Sequence, residues 1–209
     1  FWKWRMHGGA VTLSKIFNNM DWKPDLILST DMLDLTTFLA LTRAKSNGIP
    51  TAIYFHENQI SYPWSPKDRD ILNKRDNHYG FINYASALSA DKVFFNSNFH
   101  MKTFINDLVP FLKNFPDKNE TNTIREIKNK SDVLHLGLDF SNFKIKSDQK
   151  TNTPTILWNH RWEYDKNPEL FFNVMKKIKD KKIDFNLIVL GESFGNSPKI
   201  FEQAKIEFE

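Results

Sequence analysis

Short β-branched or aromatic runs alternate along this chain with stretches whose apolar residues recur every three or four positions, and that alternation constrains the fold more than any other feature. The short runs suit strands buried on both faces, and the longer stretches suit helices with one apolar stripe. Their alternation predicts an α/β protein with parallel strands. A first strand is read at 25–29 (DLILS) after Pro24. Leu35, Phe38, Leu39 and Thr42 then mark a helix that Asn47-Gly48 ends. The next strand is 51–56 (TAIYFH), followed by a long polar segment at 58–77. The stretch 79–90 reads as helix and 92–96 (KVFFN) as a buried strand. Phe104, Leu108, Phe111, Leu112 and Phe115 line one face of a further helix, which Pro116 closes.

Between 117 and 130 the composition shifts to Asn, Lys, Glu and Thr, and a second polar stretch at 144–153 follows the short run 133–137 (VLHLG). These features predict a first unit over 1–139, a linker over 140–153 and a second unit over 154–209. The pattern restarts there with a strand at 155–159 (TILWN) and a helix from Pro168 that carries Phe171, Phe172, Met175 and Ile178 on one face. A strand at 185–190, Gly191 and a final helix follow. The expected fold class is therefore α/β. With 19 Phe among 209 residues and 14% aromatic content, such a chain buries enough apolar surface to exclude global disorder. Its zero Cys exclude disulfides, Cys-type zinc sites and thiol nucleophiles. No apolar run approaches the roughly 20 residues that span a bilayer, and Phe1-Trp2-Lys3-Trp4-Arg5 does not read as the start of a signal peptide. A first residue other than Met, and a final stretch at 198–209 that reads as a helix still in progress, lead us to expect a piece of a longer protein. The net charge of +4 permits an acidic partner without demanding one.

In open parallel sheets ligands collect beyond the carboxyl ends of the strands, so the residues just after each strand carry the functional expectations. Five such tips stand out: Ser29-Thr30-Asp31, His56-Glu57-Asn58-Gln59, Asn96-Ser97, Asn159-His160-Arg161 and Gly191-Glu192. In the run 159–168 (NHRWEYDKNP), Asn167 suits an N-cap and Pro168 the first helical position. Arg161 and Lys166 thus stand at a helix N-terminus, an arrangement that binds phosphate or diphosphate. Spacing alone leaves a second reading open, in which Arg161 pairs on the surface with Glu163 or Asp165.

His56 and Glu57 at a buried strand's end can supply a general base, an electrostatic stabiliser or a hydrogen-bond clamp. A packed histidine bonded to backbone remains the other reading of His56. A zincin helix would need His where Ile60 stands, and the remaining histidines lack metal-ligand spacing, so no metal site is expected. The polar segment interleaves Tyr62, Trp64 and Tyr79 with Lys67, Arg69, Lys74 and Arg75, which suits unpaired bases and phosphates. Asp68, Asp70 and Asp76 fit a solvated loop equally well. Gly8-Gly9 offers a phosphate-approaching loop, although no GxGxxG or Walker pattern surrounds it. No G-x-S-x-G elbow supports a serine triad.

Taken together, 54–59 (YFHENQ), 62–66 (YPWSP), 78–84 (HYGFINY), 94–97 (FFNS) and 157–168 (LWNHRWEYDKNP) resemble, in order and spacing, the tRNA-queuosine α-mannosyltransferases. These form a branch of the glycosyltransferase-B superfamily, related to the retaining family-four enzymes, and the resemblance covers nearly the whole chain. It implies two Rossmann-like α/β domains, both truncated at the chain ends here, with an acceptor-side N-terminal half and a donor-binding C-terminal half. It also implies that an N-terminal glycine-rich loop and an acidic E-x7-E-type donor segment lie outside the chain, so that the piece alone is expected to be inactive.

On that resemblance, Arg161 and Lys166 match the pair that neutralises the donor diphosphate. His56, with Glu57, matches the strand-end pair beside the transferred sugar. Asn159, His160, Gly191 and Glu192 lie in the donor and nucleotide vicinity. Tyr62, Trp64, Arg69, Arg75, Tyr79, Asn96 and Ser97 are the acceptor or RNA candidates. The implied reaction transfers mannose from GDP-mannose to queuosine in a tRNA anticodon, that of tRNA-Asp, with retention. It needs no cofactor beyond the sugar-nucleotide substrate, no metal and no membrane, and the expected setting is cytoplasmic. The alternatives are a retaining glycosyltransferase acting on a lipid or polysaccharide, and a non-catalytic RNA-binding module. The sequence leaves oligomeric state open.

Overall fold

Thr51–Phe55 is buried at every residue, which makes it the centre of the first sheet and explains its unbroken apolar character. The structure, a computed structural model, describes residues 2–63, 77–143, 153–192 and 197–208. They fall into two compact units that divide after Asp139.

The first unit contains α1 (Trp2–Asn18), β1 (Ile27–Thr30), α2 (Leu35–Ser46), β2 (Thr51–Phe55) and α3 (His78–Ser89). It continues with β3 (Lys92–Phe95), α4 (Asn98–Lys113), α5 (Thr123–Asn129) and β4 (Ser131–Val133). The four strands form one parallel sheet in the order β1-β2-β3-β4. Ile27 lies opposite Thr51, Ala52 opposite Lys92, and Val93 opposite Ser131. Because every strand runs the same way, all four carboxyl ends open on one edge, where the polar tips gather. Phe55 and Phe95 stack at 5.1 Å between ring centroids and pack on Phe104 of α4, so the middle of the sheet is anchored beneath the tips.

Two segments differ from the sequence reading. Gly8 and Gly9 lie inside α1 rather than in a phosphate-approaching loop. Met6, Ala10 and Phe17 bury one side of that helix, and a Cβ on Gly8 would come within 2.5 Å of the Trp4 ring. The polar stretch after Pro116 also contains a helix, α5, whose only apolar residues, Ile124 and Ile127, are both buried. It therefore belongs to the first unit's core. Lys130, just after it, donates to the carbonyls of Leu88 and Ala90 at the end of α3, and burial lowers its pKa, with Asp91 and Glu126 opposing.

The second unit holds β5 (Thr155–Asn159), a 3-10 turn (Tyr164–Lys166), α6 (Pro168–Asp180), β6 (Asn186–Leu190) and α7 (Ile200–Phe208). β5 and β6 pair in parallel from Thr155 opposite Asn186 to Asn159 opposite Leu190. Trp158 is buried against Phe172 and Phe201, while Leu157, Ile188 and Leu190 on the other face are exposed. Among the described residues no helix is long and apolar enough to cross a membrane.

Candidate functional site

At the carboxyl edge of the first sheet the strand tips are joined sideways by hydrogen bonds. Asp31, one residue beyond β1, donates its backbone N–H to the carbonyl of Tyr54 at 3.2 Å. Its side chain is only 2% exposed, and Oδ1 accepts from the backbone N–H of His56 at 3.0 Å. The same oxygen lies 3.2 Å from Nδ1 of His56, whose own side chain is 55% exposed. Asn83, fully buried on α3, ties this corner down: its Nδ2 donates to the Asp31 carbonyl at 2.8 Å and its Oδ1 accepts from Gln59 N–H at 2.7 Å. Glu57 is half-buried and accepts from Gln59 Nε2 at 3.2 Å.

A second layer runs from β2 to β3 and α4. Asn96 Nδ2 donates to the carbonyl of His56 at 2.9 Å, so His56 is held at its N–H from one side and at its C=O from the other. Ser97 is the N-cap of α4, its hydroxyl accepting from His100 N–H at 3.2 Å. His100 completes the ring, with Nδ1 3.0 Å from Asn96 Oδ1 and Nε2 2.9 Å from Asn58 Nδ2. Asn58 Oδ1 accepts from the N–H groups of Ile60 and Ser61, which turns its NH₂ toward His100. His100 Nε2 must then accept, and its proton sits on Nδ1. Burial lowers the pKa of His100, the nearby Asp31 carboxylate opposes this, and His56 adds to it. A polar edge this dense is affordable only because its buried members find partners.

Of the acceptor candidates on this unit, Tyr62 is half-buried and Asn96 and Ser97 belong to the network just described. Tyr79 is only 6% exposed, with Trp2, His7 and His78 packed about its ring, so burial leaves it no open face on which to stack a base. Trp64, Arg69 and Arg75 lie outside the described residues.

The second unit gathers the other candidates where β5 meets α6. Asn167 adopts a left-handed conformation (φ 52°), and its side chain accepts from Leu170 N–H while Pro168 opens the helix, as the spacing predicts. Arg161 Nη2 lies 3.2 Å from Glu163 Oε2, both partly open to water. Lys166 Nζ lies 2.8 Å from Oδ2 of Asp165, whose side chain is only 4% exposed. The surface-pairing reading of Arg161 is thus the arrangement found, and the two cations are balanced by two adjacent carboxylates. Asn159, His160 and Glu192 are exposed at the strand ends, and Trp162 N–H donates to the carbonyl of Glu192 at 3.1 Å. Gly191 follows β6 directly and lies beside His160, the residue that follows β5. Its φ is +154°, and a Cβ there would lie 2.0 Å from the His160 carbonyl oxygen. A cavity of about 680 Å³ in this unit is lined by Trp162, Phe172, Phe185, Leu187, Phe201 and Phe208 among others, and includes neither Arg161 nor Lys166.

Sequence reasoning named the tips but missed the residues behind them. Asn83 and His100 sit on helices, and only the fold brings them to the strand ends. Among the described residues no three His, Asp or Glu side chains gather as metal ligands.

Two comparisons bear on this arrangement. A family model described as tRNA-queuosine alpha-mannosyltransferase N-terminal matches residues 1–138. The tRNA-queuosine alpha-mannosyltransferase of Drosophila melanogaster is 30% identical to this chain over 210 residues, covering 96% of the chain and 54% of the fly protein. The chain spans about half the length of that curated relative.

Proposed function

The chain belongs to the tRNA-queuosine alpha-mannosyltransferase N-terminal family, and from that premise we propose that its parent enzyme transfers mannose from GDP-mannose to queuosine in the anticodon of tRNA-Asp, with retention at the anomeric carbon. In this reading the first unit belongs to the acceptor-facing half of a glycosyltransferase-B enzyme and the second unit to its donor-holding half, each half Rossmann-like. The observation that carries it is the match over residues 1–138, supported by the polar strand-end network at His56 that lies within them.

Chemically, departure of a nucleoside diphosphate leaves concentrated negative charge, and oriented donors in a fixed frame stabilise it best. The Asn167 cap and Pro168 set the frame of the α6 N-terminus. Arg161 is the mobile donor. Its pair with Glu163 is more than half open on the arginine side, and such a pair is worth about 0–1 kcal/mol. Bidentate bonds from a guanidinium to phosphate oxygens are stronger, so a diphosphate displaces Glu163 at little cost. Lys166 stays beside Asp165 and adds positive charge without swinging. His56 presents its ring to the sugar or to the acceptor hydroxyl as a hydrogen-bonding group, with Glu57 next to it, while Tyr62, Asn96 and Ser97 lie on the acceptor side.

The test supplies full-length protein with GDP-mannose and queuosine-containing tRNA-Asp and weighs the released nucleosides. A hexose-sized gain on queuosine is expected, with the α-linkage read by glycosidase sensitivity. No gain with GDP-mannose or any other sugar nucleotide overturns the reading. A gain on a lipid or polysaccharide acceptor alone replaces the acceptor but keeps the donor site.

A further inference from the structure

Asp31 is a buried carboxylate to which the proposed chemistry assigns no task. It lies one residue past β1 and is 2% exposed, whereas Glu57, the other carboxylate described at this edge, is only half-buried, and a buried charge needs a reason to be there. Its contacts supply one. Oδ1 accepts the His56 backbone N–H at 3.0 Å and lies 3.2 Å from the His56 ring Nδ1. Asn83 clamps the Asp31 carbonyl at 2.8 Å and Asn96 clamps the His56 carbonyl at 2.9 Å, so the two residues cannot drift apart. Tyr54 packs edge-on against the ring at 4.8 Å and restricts its rotation.

We infer that Asp31 is a positioning residue that fixes the neutral His56 ring with its proton on Nδ1, so that Nε2 points outward as a bare acceptor for a substrate hydroxyl. A carboxylate cannot donate, so a neutral imidazole placed against it must turn its N–H toward it. The other ring nitrogen is then left with a lone pair. Among the described residues Nε2 of His56 has no hydrogen-bond partner, and the side chain is more than half exposed. In its neutral form the ring at the strand end is therefore directional: it receives a hydrogen bond from a hydroxyl and cannot give one. What Nε2 meets, the sugar or the acceptor, rests on the transferase reading above, while the state of the ring does not.

The experiment separates the two. The chain is labelled with ¹⁵N-histidine, and the ring nitrogens of His56, assigned by loss of its signals in His56→Gln, are recorded at alkaline pH where the ring is neutral. A protonated Nδ1 and an unprotonated Nε2 are expected. Their reversal, or rapid exchange between tautomers, overturns the inference whether or not the full-length enzyme transfers anything. In full-length Asp31→Ala the tautomer preference is lost, and kcat falls at least about tenfold while the KM for GDP-mannose changes less than about twofold. Asp31→Asn keeps an acceptor for both His56 N–H groups, and it restores the tautomer and most of kcat. Unchanged kcat in Asp31→Ala, with the tautomer altered, overturns the link between the ring and turnover. Should Asp31→Ala fail to fold, the wild-type spectrum and the Asn variant still decide the matter.

Discussion

At the end of β2, Asn58 and Gln59 are buried and His56 is held through a carboxylate that is itself buried, whereas at the end of β5 the Arg161–Glu163 pair stands open to water. Both are strand tips of parallel sheets, yet they keep their polar groups in different ways. The first tip uses short hydrogen bonds from Asn83, Asn96, Asn58 and His100, which fix direction. The second uses ion pairs around a helix start, of which the Lys166 pair is seated on a buried carboxylate and the Arg161 pair stands open. The first arrangement suits the fixed ring proposed for His56, and the second suits the diphosphate site proposed at Arg161. Only Gly191, wedged against the His160 carbonyl, makes the second tip as unforgiving as the first.

The comparison breaks most visibly at that glycine. Gly191→Ala forces a Cβ into a backbone oxygen at a positive φ, and we expect a loss of about 3–4 kcal/mol, read by urea denaturation followed through tryptophan fluorescence. Next is Asn83→Ala, which leaves the Asp31 carbonyl and the Gln59 N–H without their buried partner. It should cost about 2–3 kcal/mol by the same measurement. A cost under about 0.5 kcal/mol would mean that the first tip is not the rigid one.

A smaller effect separates the two cations. Lys166→Ala deprives the buried Asp165 of its neighbouring ammonium and should destabilise by about 1–2 kcal/mol. Arg161→Ala should cost less than about 1 kcal/mol while lowering kcat of the full-length enzyme on the order of 100-fold. Equal kcat in the wild type and Arg161→Ala would remove the diphosphate assignment.

The smallest effect is a pH slope. Burial holds the native pKa of His100 below its ordinary value of 6.5, so as pH falls past that value the unfolded chain takes up the proton first. His100 therefore adds no pH dependence above about pH 6.5, and its contribution falls as pH drops through the window down to its native pKa. Between about pH 7 and pH 5 stability should decline, and the decline should be shallower in His100→Gln. An unchanged slope in the variant would show that His100 does not sense acid.

Much of the first arrangement was legible in the chain. The strands at TAIYFH and KVFFN are continuous apolar runs, and their polar endings announced where side chains would emerge. Asn167-Pro168 announced the start of α6 with the same clarity, because a cap and a first-turn proline act locally. Less legible was α1, whose Met6, Ala10 and Phe17 have helical spacing but are interrupted by Gly8-Gly9. Only two isoleucines in a polar stretch signalled α5, too few to show a period. Tyr79 and Tyr62 read alike as aromatics beside a polar loop, yet Tyr79 is buried under α1, a contact between residues more than seventy positions apart in places, as in the His7–His78 pair.

By itself the sequence determined the α/β alternation, the parallel strands, the tips at which chemistry can collect and the family to which the chain belongs, because each of these rests on periodicity, local capping or a run of residues. The tertiary structure alone decided the partners: that Asp31 reaches the His56 ring, that Asn83 joins Asp31 to Gln59, that His100 closes the ring behind Asn58 and Asn96, and that Gly191 meets His160. Those pairs are 24 to 52 residues apart, apart from the local Asn96–His100 link. No periodicity encodes such distances. They follow from parallel strands delivering their carboxyl ends to a single edge, where polar groups shut away from water must find one another.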